Sequence, residues 1–122
     1  MSKNYKSWAT LFRLGNSFGG IIAVFLGSIM ALQTIPSGNF LYITTFQALS
    51  VFSFMASWNA LNDYLDFEID KIGKPDRPLP SGQISMKNAK IAIYVLISLS
   101  LIAIMSAGYF ANISDQGLKS WI

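Results

Sequence analysis

The chain has 122 residues, of which 52% are hydrophobic and 12% are charged, and its formal net charge is +3. A soluble domain usually has about 25% charged residues, so this composition indicates an integral membrane protein. The sequence contains no cysteine and no histidine, which excludes disulfides, thiolate metal sites and imidazole ligands or bases. Any metal bound here must therefore have oxygen ligands.

Two long segments lack Asp, Glu, Lys and Arg, one between Arg13 and Asp63 and the other between Lys90 and Asp115. A hydrocarbon core about 30 Å thick needs about 20 residues of apolar helix, so the first segment holds two spans and the second holds one. The predicted transmembrane helices cover residues 14–33, 40–61 and 89–110. The predicted fold class is all-α and integral membrane, with a single domain over residues 1–122. The alternative is a buried helical hairpin in a soluble protein, but so short a chain cannot cover three wholly apolar helices.

The basic residues predict the orientation of these helices. Three precede the first span, none lies between the first and second spans, and five follow the second span, the last of them, Lys90, in the first turn of the third. Under the positive-inside rule, the N-terminus and residues 62–88 are expected to be cytoplasmic, in a multi-pass protein of the cell membrane. The positive charge suits anionic lipid headgroups, and no basic and aromatic pattern of the kind that binds nucleic acid is present. A cleavable signal peptide fits poorly, because the first apolar run is long and no small-x-small site follows it.

The polar segment between the second and third spans is predicted to begin as helix and to end as loop. Apolar residues first recur at helical spacing, at Leu61, Leu65, Ile69 and Ile72. Three prolines then exclude a continuous helix, at Pro75, Pro78 and Pro80. Ser85 is the expected N-cap of the third span.

An acidic stripe lies on the helical part of this segment. At about 100° per residue, one helix face about 100° wide contains Asn62, Asp63, Asp66 and Asp70, with Glu68 on the opposite face. Carboxylates three and four residues apart repel one another on a helix, and placing them near a bilayer costs further free energy. A hard divalent cation such as Mg²⁺ offsets both effects. The stripe therefore predicts a Mg²⁺ site; the alternative is an ordinary solvated helix end.

Basic residues of the following loop are candidates for binding phosphate. Arg77 lies between prolines that restrict the backbone, and a guanidinium held in this way can bind phosphate oxygens through two hydrogen bonds. Lys74 is equally consistent with a phosphate ligand and with a topology charge. We interpret Lys87 and Lys90 as topology charges only.

These motifs together resemble a known family. The order Asn62-Asp63-x-x-Asp66-x-x-x-Asp70, then Pro75-Asp76-Arg77-Pro78-x-Pro80-Ser81-Gly82, resembles the first aspartate-rich motif and following loop of the UbiA superfamily of intramembrane prenyltransferases. Arg13-x-x-Asn16 resembles the N-terminal pattern of that family. Without the resemblance, Arg13 would be a topology charge and Asn16 a polar contact between helices.

The resemblance implies a fold of about nine transmembrane helices, of which this chain would hold the N-terminal three. It also implies a second aspartate-rich motif, which binds a second Mg²⁺ and completes the diphosphate site. The only acidic residue after Asp76 is Asp115, which forms no such motif. We therefore expect a truncated chain, with a missing C-terminal half as a possible partner.

The resemblance further implies Mg²⁺-dependent prenyl transfer from a polyprenyl diphosphate donor to an acceptor in the bilayer. The implied catalytic residues are Asp66, Asp70 and Arg77, and the implied metal ligands are Asn62, Asp63, Asp66 and Asp70. Of these, Asp63 is either a direct ligand or a group that supports the ligands from behind. The implied diphosphate-binding residues are Arg77, Lys74, Arg13 and Asn16. The sequence offers no convincing general base for the acceptor.

Within the superfamily, Ile69-Asp70-Lys71 and the loop after it resemble the digeranylgeranylglyceryl phosphate synthase branch. Geranylgeranyl diphosphate is then the expected donor and a glycerol phosphate ether lipid the expected acceptor. An aromatic acceptor, as in the 4-hydroxybenzoate prenyltransferases, and a chlorophyll-synthase-like activity are alternatives. So is an inactive remnant, or half of a split enzyme. The CDP-alcohol phosphotransferases fit less well, because their Asp-Gly-x-x-Ala-Arg motif is absent.

Overall fold

A computed structural model of the protein describes residues 2–113, and every regular element in that range is an α-helix. In chain order the helices are α1 (Ser2–Phe12), α2 (Leu14–Leu32), α3 (Asn39–Leu65), α4 (Phe67–Gly73) and α5 (Met86–Ile113). Three of them, α2, α3 and α5, are long and apolar enough to cross a membrane. The predicted fold class, all-α with three membrane-length helices, is confirmed. Asp115 lies outside the described residues.

Helix α3 is the centre of the bundle, with α1, α2 and α5 packed around it. Its buried positions are mostly small, which lets neighbouring helix backbones approach closely, as in other membrane helix pairs. Ser50 and Ser100 join α3 to α5, because each hydroxyl donates to the other residue's carbonyl at 3.0 Å. Many large apolar side chains remain exposed on the outer faces of α2, α3 and α5. This surface is far too apolar to face water.

Helix α1 was not predicted. The signal for it was present, since Tyr5, Trp8, Leu11 and Phe12 recur at helical spacing. Leu11 is fully buried, and the rings of Trp8 and Phe12 lie 5.4 Å apart. An isolated 11-residue helix is marginal in water. Packing against α3 therefore stabilises α1.

The proline-rich loop before α5 is folded onto the end of the bundle. Leu79 and Ile84 are buried in one cluster with Leu11 of α1 and with residues of α3 and α5. Inside the loop, the Ile84 amide donates to the Pro78 carbonyl at 3.1 Å. Ser85 Oγ accepts from the Asn88 amide at 3.1 Å, so the predicted N-cap is confirmed.

The second membrane helix extends further than the predicted range of residues 40–61. It ends at Leu65, and α4 begins at Phe67 after one intervening residue, Asp66. Asp66 has φ −89° and ψ 14°, close to the sparsely populated bridge region in which many active-site residues lie. Backbone hydrogen bonds continue across it, because the Asp66 amide donates to Asn62 at 2.9 Å and the Asp70 amide donates to Asp66 at 2.8 Å. The acidic stripe is therefore carried on a nearly continuous helix.

Candidate functional site

Two arginines meet at one buried carboxylate at the end of α3. Arg77 Nη1 donates to Asp63 Oδ1 at 2.9 Å, and Arg13 Nη2 donates to the same oxygen at 3.3 Å. The Asp63 side chain is only 5% exposed, whereas the guanidinium-bearing side chains of Arg13 and Arg77 are 38% and 30% exposed. The arginines thus have one side against the protein and one side open.

Arg13 reaches Asp63 because the chain breaks sharply between α1 and α2. Its backbone has φ 49° and ψ 59°, a left-handed conformation that is uncommon for a residue with a side chain. The Phe12 carbonyl at this break accepts two hydrogen bonds, from Asn59 Nδ2 at 3.0 Å and from Ser17 Oγ at 3.2 Å. These bonds satisfy a carbonyl that the interrupted helix leaves without its usual partner.

Arg77 is placed by the loop that follows α4. The next two residues, Pro78 and Leu79, are buried and anchor the loop to the bundle. The Arg77 carbonyl accepts from the Ser81 amide at 3.0 Å, which closes a turn behind the side chain. Arg77 also lies 3.7 Å from Asp70 Oδ2. It therefore contacts two carboxylates of the acidic stripe.

The other acidic residues of the stripe differ in burial and in contacts. Asp70 is 6% exposed, and its Oδ2 atom is buried without a hydrogen-bond partner among the described residues. Asp66 is exposed and forms no ion pair with any residue that the structure describes. Asn62 is half-buried. Glu68 is on the outer side, as expected, where it pairs with Lys71 at 3.5 Å.

The oxygen groups of the acidic stripe are of the type that Mg²⁺ binds. Between residues 2 and 113, no group of three or more His, Cys, Asp or Glu side chains is assembled to hold a metal ion. Mg²⁺ needs no such group, since proteins usually bind it through one or two carboxylates, with waters and substrate phosphates as the other ligands. Asp70 Oδ2, which accepts no hydrogen bond from a described residue, and the exposed carboxylate of Asp66, one helical turn earlier, are donors of the required type.

Two of the predicted diphosphate-binding residues lie apart from Arg13 and Arg77, the paired arginines. Lys74 is exposed at the end of α4, and its backbone amide donates to the Asp70 carbonyl at 2.8 Å. Asn16 is exposed on the first turn of α2. Neither side chain forms an ion pair or hydrogen bond with another described residue. Their roles stay predictions.

Asn59 and Ser17, which donate hydrogen bonds to the Phe12 carbonyl at the break before Arg13, were not predicted from the sequence. Asn59 lies one turn before Asn62 on α3, so its spacing could have assigned it to the same helix face. Nothing local indicated that its partner would be the Phe12 carbonyl, 47 positions away in the chain. A contact of this kind becomes visible only when α1 and α3 are packed together.

A cavity of about 660 Å³ opens between α2, α3 and α5 at the other end of the bundle. Its wall is mostly apolar and includes Gly27, Ile43, Gln47 and Ala107. The helical rise of about 1.5 Å per residue puts Gln47 about 24 Å from Asp63 along α3. The cavity is therefore well separated from Arg13 and Arg77.

The chain is similar in sequence to known proteins of one family. The chain matches the UbiA prenyltransferase family over residues 20–114. It is 42% identical over 96 residues to a digeranylgeranylglyceryl phosphate synthase of Methanobrevibacter smithii, covering 78% of this chain and 31% of that protein. Proteins of the same name from Thermococcus kodakarensis and Sulfurisphaera tokodaii are 38% and 34% identical, covering 91% and 93% of this chain and 38% and 45% of the relatives.

The chain thus spans between about a third and a half of the length of these relatives. No solved structure matches it significantly. The family match covers most of α2, all of α3, α4 and α5, and the loop that carries Arg77. With its three membrane-length helices, the chain is a multi-pass membrane protein, and it belongs to the UbiA prenyltransferase family.

Proposed function

We propose that this chain forms the diphosphate-binding end of a Mg²⁺-dependent prenyltransferase. The reaction moves a geranylgeranyl group from geranylgeranyl diphosphate to a glycerol phosphate ether lipid. The observation that carries the proposal is the meeting of Arg13 and Arg77 at Asp63, beside Asp70 Oδ2, which accepts no hydrogen bond from a described residue. Paired guanidiniums and oxygen ligands for a divalent cation are what a diphosphate requires.

In this function the residues of the chain have separate roles. The open sides of Arg13 and Arg77 bind diphosphate oxygens and stabilise the negative charge that grows on the leaving group. Asn62, Asp66 and Asp70 would hold Mg²⁺, which when bound neutralises the same charge. The bond between the allylic carbon and the diphosphate oxygen breaks, and the diphosphate keeps the electron pair. The acceptor hydroxyl then forms the new ether bond and releases its proton.

The choice of acceptor rests on the relatives and on the motif around Asp70. The relatives described above are digeranylgeranylglyceryl phosphate synthases, a name that indicates addition of a second geranylgeranyl group to a glycerol phosphate ether. An aromatic acceptor is the alternative. We therefore expect a mono-ether of glycerol phosphate to be prenylated in preference to 4-hydroxybenzoate.

The test uses the purified 122-residue chain in lipid vesicles, with labelled geranylgeranyl diphosphate, Mg²⁺ and either acceptor. We expect label in the ether lipid, loss of transfer in Asp66→Ala, and unchanged transfer in Glu68→Gln, whose side chain is on the outer side of the same helix. A preference for 4-hydroxybenzoate would contradict the proposed acceptor. If neither acceptor receives label, this chain does not catalyse the transfer alone. That result is expected of half of a split enzyme or of an inactive remnant.

We also propose that the N-terminus and residues 62–88 face the cytoplasm. Ser7 of α1 donates a hydrogen bond to Gln83 of the loop, which supports a position for both segments on one side of the membrane. Because the chain has no cysteine, single cysteines can be labelled selectively. An impermeant maleimide should label Ser37→Cys in intact cells, and Ser81→Cys only after permeabilisation. The opposite pattern would reverse the orientation.

A further inference from the structure

We propose that Asp63 is a positioning residue for the two arginines and not a ligand of the metal. It would hold Arg13 and Arg77 at the separation and orientation in which their free N–H groups bind a diphosphate. The inference deepens the proposed function and rests on it. It divides the acidic stripe into one residue that acts through arginines and others that act through a cation.

One oxygen of Asp63 already has two cationic partners. Oδ1 accepts from Arg77 at 2.9 Å and from Arg13 at 3.3 Å. A carboxylate oxygen has about two lone-pair positions, so both are used. A divalent cation at this oxygen would have to displace a guanidinium, and a cation at the other oxygen of Asp63 would be repelled by both guanidiniums.

Both arginines keep N–H groups that can donate hydrogen bonds to a ligand. A guanidinium has five N–H donors in a rigid plane, and the carboxylates of Asp63 and Asp70 use few of them. Both side chains also remain about a third exposed. Asp63, in contrast, is buried, and the two arginines that it holds are more accessible to a ligand than it is.

The backbone at Arg13 is strained, because this residue has a left-handed conformation. A residue with a side chain is rarely left-handed, and such strain persists where surrounding contacts fix it. Here the contacts are the two hydrogen bonds to the Phe12 carbonyl, from Asn59 and Ser17. The result of the strained break is that the Arg13 guanidinium reaches α3 beside Asp63.

Asp63 and Asp70 differ in their hydrogen-bond partners. The two carboxylates are about equally buried, at 4% and 6% exposure. Asp63 has hydrogen bonds from both arginines, whereas Asp70 Oδ2 has none, with Arg77 at 3.7 Å. Burial therefore does not distinguish them, and their partners do. Asp63 is the carboxylate that two guanidiniums hold, whereas Asp70 has a buried oxygen that accepts no hydrogen bond from a described residue.

The experiment compares matched, charge-conserving variants, Asp63→Glu and Asp70→Glu, in the purified full chain. Calorimetry measures the affinity for inorganic pyrophosphate in saturating Mg²⁺, and electron paramagnetic resonance measures the affinity for Mn²⁺ alone. We expect Asp63→Glu to weaken pyrophosphate binding about tenfold while Mn²⁺ affinity stays within about twofold, because charge is kept but both guanidiniums move. Asp70→Glu should weaken Mn²⁺ binding about tenfold.

A mutant cycle tests whether Asp63 acts through the arginines. In a chain with Arg13→Lys and Arg77→Lys, which keeps the charge but removes the planar forks, Asp63→Glu should cause no further loss of pyrophosphate affinity. If Asp63→Glu does not fold, the two lysine substitutions alone should still weaken pyrophosphate binding and leave Mn²⁺ binding unchanged. A buried residue with only a structural role would not separate the two affinities in this way.

Three results would overturn the inference: an Mn²⁺ affinity that falls in Asp63→Glu as it does in Asp70→Glu, a pyrophosphate affinity that is unchanged in Asp63→Glu, or a wild-type chain that binds no pyrophosphate. Failure of the proposed function would look different. Pyrophosphate binding that depends on Asp63, without prenyl transfer to any acceptor, would refute the reaction and leave the positioning role intact.

Discussion

Gly20 tests how closely α2 and α3 pack below the paired arginines. A Cβ atom at this position would lie 2.7 Å from Met55 Sδ and 2.8 Å from Val51 Cγ1, against about 3.5–4.0 Å for an unstrained contact. The methionine can move aside because it is flexible, but Val51 is β-branched and has one strongly preferred rotamer in a helix. The cost of overfilling this contact therefore falls mainly on the valine or on the helix backbones.

We expect Gly20→Val to lower the free energy of unfolding by about 2–3 kcal/mol, in the upper part of the usual range for overpacking. The gain in helix propensity over glycine is only about 0.4 kcal/mol and does not offset this loss. The measurement is titration with SDS from a mild detergent, followed by tryptophan fluorescence. Because α2 begins directly after Arg13, we also expect weaker pyrophosphate binding.

The matched control is Gly19→Val, since a Cβ atom at Gly19 meets nothing within 4 Å. This variant should unfold at the same SDS fraction as the wild type or at a slightly higher one. Adding Val51→Ala to Gly20→Val should recover part of the lost stability, because it removes the less mobile of the two obstructing groups. Equal stability of Gly19→Val and Gly20→Val would refute the close approach of the two helices.

Three further predictions use the same titration. Asp63→Asn should lower the free energy of unfolding by about 2–3 kcal/mol, because a buried ion pair loses one partner. Glu68→Gln removes an exposed ion pair and should change the free energy of unfolding by less than about 0.5 kcal/mol. Equal effects of the two substitutions would contradict the difference in burial. Asn59→Leu should cost about 1 kcal/mol, because the carbonyl at the end of α1 loses one of two donors, and an unchanged midpoint would argue against that bond. Gly82→Ala should cost about 1–2 kcal/mol, since its φ is +81°, whereas Gly73→Ala should be nearly neutral; equal costs would contradict the strained turn.

The membrane helices could be predicted because each needs only a local property. Absence of charge over about 20 residues is enough to identify a span, and the three long helices correspond to such runs. Local chemistry also predicted the end of the acidic helix before Pro75 and the N-cap at Ser85, confirmed by its bond to Asn88. None of these features depends on which helices are neighbours.

Helix α1 and the loop before α5 depend on tertiary contacts. Leu11 and Leu79 are far apart in the chain but lie in one buried cluster. The loop residues were predicted to be irregular, and most of them are turns. Their packing on α1 could not be inferred, because it requires the position of a helix that is itself stabilised by packing.

The acidic stripe shows what a helical projection leaves out. A helical projection of α3 and α4 places Asp63, Asp66 and Asp70 on one face. Because the projection considers one helix at a time, only a bound cation is available in it to offset the repulsion among these carboxylates. In the folded chain Arg13 and Arg77 pair with Asp63, and Arg77 also lies near Asp70, so the three carboxylates and two arginines together have one net negative charge. A diphosphate alone would be repelled by it, whereas one divalent cation would change the net charge to one positive. The arginines therefore reduce what the cation must neutralise, and we expect the metal and the diphosphate to strengthen each other's binding.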